Sequence, residues 1–285
     1  SGGSDNDILL GDNGELIYDD AADPDLATLD IIQSFRDSLG GADTISGNDN
    51  HDIIIGGTGG DTLHGDDSDP NDAVGDESDV ILGDNGEIIL TDNMIAIIRT
   101  TDEVEGTGGA DTITGALGDD IILGGVNGDA NGIDDIEGNA DNDIILGDNG
   151  ELLYNTDAVL PAVFAERSAL DVIQSLRLGT DGLAALGATD EIDGNAGHDI
   201  IIGGSAGDTL HGDDADPVNA AGDLADVILG DHGQVLFTGG LIAEIRTRDQ
   251  HEGTGGADTI TGALGDDINL GGVNGDASGI DDTEG

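Results

Sequence analysis

The chain has 285 residues, with 63 acidic side chains against 6 basic ones and a formal charge of −57, a balance that repels itself and resists condensation unless counter-charge is supplied. Charge of this sign excludes nucleic acid and anionic membrane as direct partners, because both require Lys or Arg to neutralise phosphate, and no apolar run approaches the roughly 18 residues of a membrane span. With no Cys there is no disulfide framework, thiolate metal site or Cys nucleophile, and with aromatics at 2% a conventional aromatic-centred core is not expected.

Taken in chain order, the sequence repeats itself at several scales. DNDILLGDNGELIY, from Asp5 to Tyr18, returns as DNDIILGDNGELLY from Asp141 to Tyr154, a shift of 136 residues. EGTGGADTITGALGDDI, from Glu105 to Ile121, recurs letter for letter from Glu252 to Ile268, a shift of 147. These shifts define two units, 2–137 and 138–284. The block D-[IV]-[IL]-L-G-D-[NH]-G-[EQ] begins at Asp7, Asp79, Asp143 and Asp226, so each unit holds two modules, the second starting near residue 79 and near residue 226. Ser1-Gly2 stands in the register of Glu284-Gly285, and the chain is therefore expected to be a window on a longer tandem array.

A nine-residue period lies inside the modules. From Gly47 the chain reads GNDNHDIII and GGTGGDTLH, from Gly106 GTGGADTIT and GALGDDIIL, from Gly194 GNAGHDIII and GGSAGDTLH, and from Gly253 GTGGADTIT and GALGDDINL. Glycines at positions one, two and four permit tight turns, and the apolar triplet that follows, such as Ile53-Ile54-Ile55, has the β-branched character of a short strand. Turn and strand in alternation make a coil. The residues at position eight, including Ile45, Ile54, Leu63, Ile113, Ile122, Ile201, Leu210 and Ile260, are expected to stack inward as a thin aliphatic core in which each rung leans on its neighbours.

This pattern resembles G-G-x-G-x-D-x-U-x, the nonapeptide of the RTX calcium-binding repeats of secreted bacterial proteins. The resemblance implies an all-β, calcium-binding β-roll or β-solenoid. It carries the family's aspartate position onto Asp43, Asp52, Asp61, Asp111, Asp120, Asp129, Asp190, Asp199, Asp208, Asp258, Asp267 and Asp276 as side-chain ligands of multiple Ca²⁺ ions. The chemistry is consistent: Ca²⁺ takes six to eight oxygens from carboxylates and carbonyls, whereas Mg²⁺ wants a small octahedral site and keeps its waters. Ten ions at +2 each would reduce −57 to roughly −37. Asp66-Asp67 and Asp213-Asp214 are read as solvated loop, with weaker ion sites as the alternative.

The period breaks after each GDNG or GDHG, where Leu16, Ile88, Leu152 and Val235 occupy the aspartate slot. There the chain is expected to leave the coil as β-hairpin excursions. EIILTDNMIAIIRT (Glu87 to Thr100) and QVLFTGGLIAEIRT (Gln234 to Thr247) read as hairpins closed by Asp92-Asn93 and Gly239-Gly240. ELIY with LDIIQSFR, and ELLY with LDVIQSLR, read as strand pairs around longer inserts, the second with a short helix from Pro161. Arg36, Arg99, Arg177 and Arg246 end the four excursions and are expected to form internal ion pairs or cover turn carboxylates. Exposed aliphatic hairpins are sticky edges, which favours lateral assembly.

No HExxH or P-loop occurs. His64 and His211 repeat one slot and His51 and His198 another, so the histidines are read as architectural and the chain as no enzyme. The expected function is a structural repeat of an extracellular bacterial filament, surface layer or giant adhesin, which binds Ca²⁺, folds outside the cell and self-associates. RTX relatives are similarly exported unfolded by type I secretion. The alternative is an RTX carrier segment of a secreted enzyme or toxin. An ice-binding face is set aside because Thr44, Thr62, Thr112 and Thr209 look too scattered to form flat rows.

Overall fold

A computed structural model describes residues 1–18, 28–35, 39–66, 75–91, 94–101, 108–127, 132–155, 169–176, 187–213, 222, 224–248, 255–272 and 282–284. The chain begins with β1 (Ile8–Leu10), β2 (Gly14–Ile17), β3 (Ile31–Ser34), β4 (Thr44–Ser46), β5 (Ile53–Ile55) and β6 (Thr62–His64). It continues with β7 (Val80–Leu82), β8 (Gly86–Thr91), β9 (Met94–Thr100), β10 (Thr112–Leu117), β11 (Ile121–Leu123) and β12 (Asp135–Ala140). The same order returns as β13 (Ile144–Leu146), β14 (Gly150–Tyr154), β15 (Leu170–Ser175), β16 (Glu191–Ala196), β17 (Ile200–Gly204) and β18 (Thr209–His211). The last set is β19 (Val227–Asp231), β20 (Gly233–Thr238), β21 (Leu241–Thr247), β22 (Thr259–Thr261), β23 (Ile268–Leu270) and β24 (Asp282–Glu284).

These strands form three eight-stranded sheets. Two are parallel: a central sheet β1-β5-β7-β11-β13-β17-β19-β23 and an outer sheet β4-β6-β10-β12-β16-β18-β22-β24. The chain alternates between them, one strand of each per coil, and the register is maintained from coil to coil, as in Ile54↔Ile81 and Ile113↔Ile136. The roll is therefore continuous. The third sheet, β2-β3-β8-β9-β14-β15-β20-β21, is antiparallel and contains the excursions, one hairpin inserted into every second coil.

The layers follow from which way each side chain points. In a strand triplet the middle residue faces one side and its two neighbours the other. Middle residues of both parallel sheets, Ile54, Ile81, Ile113, Ile136, Ile145, Ile201 and their equivalents, fill the interior of the roll. The flanking residues of the central sheet, among them Ile53, Ile55, Leu82, Leu123 and Leu146, face the opposite way and pack against Ile32, Ile88, Ile98, Leu152, Ile173 and Val235 of the antiparallel sheet. The central sheet is thus buried on both faces, which explains its unbroken Ile, Val and Leu triplets. The hairpin strands, covered on one face only, alternate buried and half-buried residues, as in Gly150–Tyr154.

The inner hairpins bury their aliphatic residues, with Ile88, Ile98, Leu152 and Ile173 fully buried, whereas the first and last strands of this sheet leave Leu16, Leu241 and Ile242 exposed. All four excursions pair as expected and pair with one another within the chain, β3 with β8, β9 with β14 and β15 with β20. Gly239 and Gly240, at φ +60° and +76°, make the tight turn of the last hairpin. Asp92-Asn93, the segment from Pro161, Arg36 and Arg177 lie outside the described residues. Arg99 bridges Glu87 on β8 and Glu151 on β14, the latter at 3.7 Å, and Arg246 meets Glu244 at 3.2 Å and Gln234. These contacts belong to one cross-strand row that begins at Glu15, passes through Gln33, Glu87, Arg99, Glu151, Gln174 and Gln234, and ends at Arg246.

The threonines are scattered in sequence but not in space. The outer face of the outer sheet aligns Thr44, Thr62 and Thr112 in one file and Thr209 with Thr259 in its continuation, with Asp135 and Glu191 between the two runs.

Candidate metal centre

Each described strand of the two parallel sheets up to β23 is preceded by an aspartate. Asp7, Asp52, Asp79, Asp120, Asp143, Asp199, Asp226 and Asp267 precede the central strands, and Asp43, Asp61, Asp111, Asp134, Asp190, Asp208 and Asp258 precede the outer ones. Stacking of the coils turns each set into a ladder along one side of the roll. Within a ladder, the backbone N–H of one aspartate donates to Oδ1 of the next. On the first ladder Asp7 donates to Asp52 at 2.6 Å, Asp79 to Asp120 at 2.7 Å and Asp143 to Asp199 at 2.7 Å. On the second, Asp61 donates to Asp111 at 2.8 Å, Asp111 to Asp134 at 2.9 Å and Asp208 to Asp258 at 3.0 Å.

The other carboxylate oxygen has no such donor. Oδ2 of Asp52, Asp61, Asp79, Asp111, Asp120, Asp134, Asp190, Asp208 and Asp226 is buried without a hydrogen-bond partner. It points at the glycine that ends the preceding strand, where a backbone carbonyl from the next coil also converges. A Cβ built on Gly47 would fall 2.2 Å from Asp52 Oδ2 and 2.1 Å from Gly65 O; one on Gly83 would fall 2.4 Å from Asp111 Oδ2 and 2.5 Å from Gly124 O. The nonapeptide therefore needs glycine at these two positions because two acceptor oxygens share the space a side chain would take. Two acceptors facing one gap form a cradle that a cation, or failing that a proton, must fill.

Electrostatics point the same way. Burial, with neighbouring aspartates adding to it, pushes the carboxyl of Asp52 up to about 6, Asp226 to about 8, and Asp79 and Asp111 to about 9. Asp120, Asp190 and Asp208 are raised well above the usual range for the same reasons. Arg99 and Arg246 direct their guanidinium groups to the hairpin sheet instead. Without a cation the ladders would have to take up protons to remain folded.

The donors fit Ca²⁺. All are oxygens, carboxylate and carbonyl together, which is the ligand set of a hard cation with a high coordination number. Among the described residues no three His, Asp or Glu side chains gather at one point; each cradle must draw much of its coordination from glycine-turn carbonyls. Gly47 with Asp52 and Gly65, and Gly83 with Asp111 and Gly124, are the residues that would hold an ion at two representative rungs.

Ten of the twelve aspartates proposed from the nonapeptide phase fall on these ladders: Asp52, Asp120, Asp199 and Asp267 on the first, and Asp43, Asp61, Asp111, Asp190, Asp208 and Asp258 on the second. Asp129 and Asp276 lie outside the described residues. Five ladder aspartates were missed. Asp7, Asp79, Asp143 and Asp226 served only to mark the module blocks. Counting nine from Asp120 passes over Asp134, although Asp134-Asp135-Ile136 matches Asp111-Thr112-Ile113. An aspartate followed at the second position by a core aliphatic is the signal that finds all five.

Further carboxylates secure the turns. Asp12, Asp84 and Asp148, from the GDNG blocks, accept the N–H of Thr58 at 2.6 Å, Val126 at 2.5 Å and Ser205 at 2.5 Å on the adjoining coils. Asp66 and Asp213, expected in solvated loop, are instead buried and accept the N–H of Leu117 and Leu264; Asp67 and Asp214 are outside the described residues. His51 donates from Nδ1 to Ser78 O at 2.7 Å, His198 to Ala225 O at 2.9 Å, and His232 Nε2 meets Ser205 Oγ at 3.1 Å.

A parallel β-roll with aspartate ladders facing glycine turns defines a class of all-β metal-binding repeat proteins. Comparison with protein families places this chain more closely: the RTX calcium-binding nonapeptide repeat matches in four copies, at residues 37–69, 100–129, 130–151 and 185–216. The chain carries RTX repeats, and RTX repeats bind multiple Ca²⁺ ions. The segment 252–268, outside the matched residues, repeats 105–121 letter for letter and supplies β22 on the same ladder. Comparison with curated proteins and with solved structures gave no match.

Proposed function

We propose that the chain is a calcium-loaded structural segment of an extracellular bacterial filament, surface layer or giant adhesin, and that it does no chemistry of its own. The observation that carries this reading is the uninterrupted run of three sheets, with a hairpin added to every second coil. The hairpins enlarge the core and stiffen the roll along its length. Folding is coupled to the ion: the ladders bring carboxylates together only when Ca²⁺ offsets their repulsion, so the chain stays loose where Ca²⁺ is scarce and condenses outside the cell.

Circular dichroism with light scattering during a Ca²⁺ titration from an EGTA-treated start, with Mg²⁺ as control, tests the proposal. A cooperative gain of β signal specific to Ca²⁺, with scattering that grows alongside it, is the expected result. Folding without any growth in mass would favour the carrier-segment reading, and a chain already folded in EGTA at pH 8 would overturn the calcium mechanism.

A further inference from the structure

The antiparallel sheet packs one face on the central sheet and turns the other away from it. The residues on that outward face form two rows across the strands. One is the polar row from Glu15 to Arg246. The other, two residues further along each strand, is aliphatic: Ile31 pairs with Ile89, Ile89 with Ile97, Ile97 with Leu153, Leu153 with Val172, and Val172 with Leu236. All six are half-buried, and none belongs to either core of the roll. The outward face of an antiparallel sheet is ordinarily polar, and a continuous apolar stripe on it marks an interaction surface. This stripe runs along the inner strands β3, β8, β9, β14, β15 and β20. Further repeats stacked on either end would lengthen it without covering it.

Charge selects both the face and its occupant. Arg99 and Arg246 lie on strands of this sheet and Arg248 directly after β21, and the described residues contain no other Arg or Lys. The two sides of the roll carry the aspartate ladders, and the outer sheet sets Asp135 beside Glu191 and Glu137 beside Asp193. A second roll of charge −57 is therefore repelled from those directions and least from this one. The order of the polar row is also self-complementary. When two such rows run in opposite directions, Arg99 meets Glu151, Glu87 meets Gln174, Arg246 meets Glu15, and no carboxylate meets another.

We infer that this face binds a second copy of the chain, the two rolls lying side by side and antiparallel about a two-fold axis that runs along the strand direction between β9 and β14. The inference rests on the structural reading above and names the lateral contact such a segment uses. Rotation about that axis lays aliphatic row on aliphatic row and polar row on polar row, so Ile97 meets Leu153 of the partner subunit and Arg99 meets Glu151 of the partner subunit. The extent of the face is sufficient. Eight strands about 4.8 Å apart, each about six residues long at about 3.4 Å per residue, make a surface of about 38 by 20 Å. That is close to the ~800 Å² per partner of a standard stable interface. A contact of one patch with its own copy closes on itself, so it gives a pair of rolls and no further lateral growth.

The test is sedimentation equilibrium and small-angle X-ray scattering of the full chain in saturating Ca²⁺ over a range of concentrations, with circular dichroism on every sample. The mass should double and stop, with a thicker cross-section and an unchanged length. Leu153→Glu puts a charge at the centre of the contact and should raise the dissociation constant about a hundredfold while the β signal stays that of wild type. Arg99→Glu and Glu151→Arg should each raise it about tenfold. An equimolar mixture of these two variants should return to within about threefold of wild type, because each Glu then faces an Arg across the axis. Growth in length at constant cross-section, doubling that Leu153→Glu leaves intact, or a mixture that does not recover overturns the pairing and leaves the structural reading standing. A chain that folds on Ca²⁺ and stays monomeric at every concentration overturns the pairing and favours the carrier segment. Absence of a Ca²⁺-dependent β signal in the wild-type chain removes the reading on which the pairing rests.

Discussion

Gly83 offers the sharpest test of the cradles. It directly follows β7, and an added Cβ would lie 2.4 Å from Asp111 Oδ2 and 2.5 Å from Gly124 O, about an ångström inside ordinary van der Waals contact. The carbonyl belongs to a paired backbone and has little freedom to retreat, so Gly83→Ala must push the two acceptor oxygens apart. Overpacking of this kind costs about 1–3 kcal/mol. Losing one ion held at a hundredfold excess over its dissociation constant costs a further ~2.7 kcal/mol. Together these give a loss of about 4–6 kcal/mol, or a melting point lower by on the order of 10 °C for a chain of this size. Gly41, whose added Cβ would meet nothing within 4 Å, is the control: Gly41→Ala should stay within about 0.5 kcal/mol of wild type. Thermal melts in saturating Ca²⁺, together with bound calcium by equilibrium dialysis, supply the assay, and Gly83→Ala should hold one ion fewer. If it bound the wild-type complement and melted alongside Gly41→Ala, glycine at this slot would have to be explained by turn geometry alone.

Three further outcomes follow from the same construction. Because the ladder carboxyls are raised in the folded state, to about 6 at Asp52 and about 9 at Asp79 and Asp111, the calcium-free roll binds more protons than the unfolded chain above pH ~4. Its stability is greatest in acid and falls as pH rises through those values, so the EGTA-treated chain should show more β signal at pH 4.5 than at pH 8, and the opposite order would refute the burial argument. Ile122→Ala, at a fully buried position in the roll interior, should cost about 2–5 kcal/mol, whereas Ile268→Ala, 45% exposed on an edge strand, should cost under about 1 kcal/mol in chemical denaturation. Asp79→Asn and Asp134→Asn should each lower the bound calcium measured by dialysis, although nonapeptide counting passes over both; unchanged binding would remove them from the ladders.

The coil was legible because its physics is local. The position-eight aliphatics predicted as the inner core do form it, Ile54, Leu63, Ile113, Ile122, Ile201 and Leu210 among them, and the hairpins fall where an aliphatic displaces the aspartate. What remained hidden was non-local. Nothing in a triplet such as Ile121-Ile122-Leu123 says that its two outer residues need a partner sheet, although a run apolar at all three positions is the mark of a strand buried on both faces. The hairpins read as protrusions because their partners, other hairpins some 50 to 70 residues away, adjoin only once the coils are stacked. The missed aspartates have the same origin: Asp79 is set in the ladder by the coil it enters, and the glycines that face it arrive from elsewhere in the chain, Gly65 on one side and Gly115 on the other.

The third sheet changes how the ion ladders act. In a bare roll each coil contacts only its neighbours, so folding spreads rung by rung and the interior core is a single file of aliphatics. Here the central strands carry a second core, against hairpins that reach across to the adjoining hairpins, so a coil without a hairpin of its own, such as the one built from β5 and β6, is covered by sheet contributed by the coils before and after it. Asp84 ties this arrangement to the turns: it lies at the foot of the β8–β9 hairpin and accepts the N–H of Val126, two residues beyond Gly124, whose carbonyl faces the Gly83 cradle. Calcium that orders the Gly124 turn therefore also holds the base of a hairpin, and the hairpin in turn buries both central strands beside it. If ion binding at the ladders and burial in the second core reinforce each other in this way, a chain of charge −57 should fold cooperatively at a calcium threshold instead of stiffening gradually, which a Ca²⁺ titration followed by circular dichroism would read as a sigmoidal rather than a graded rise.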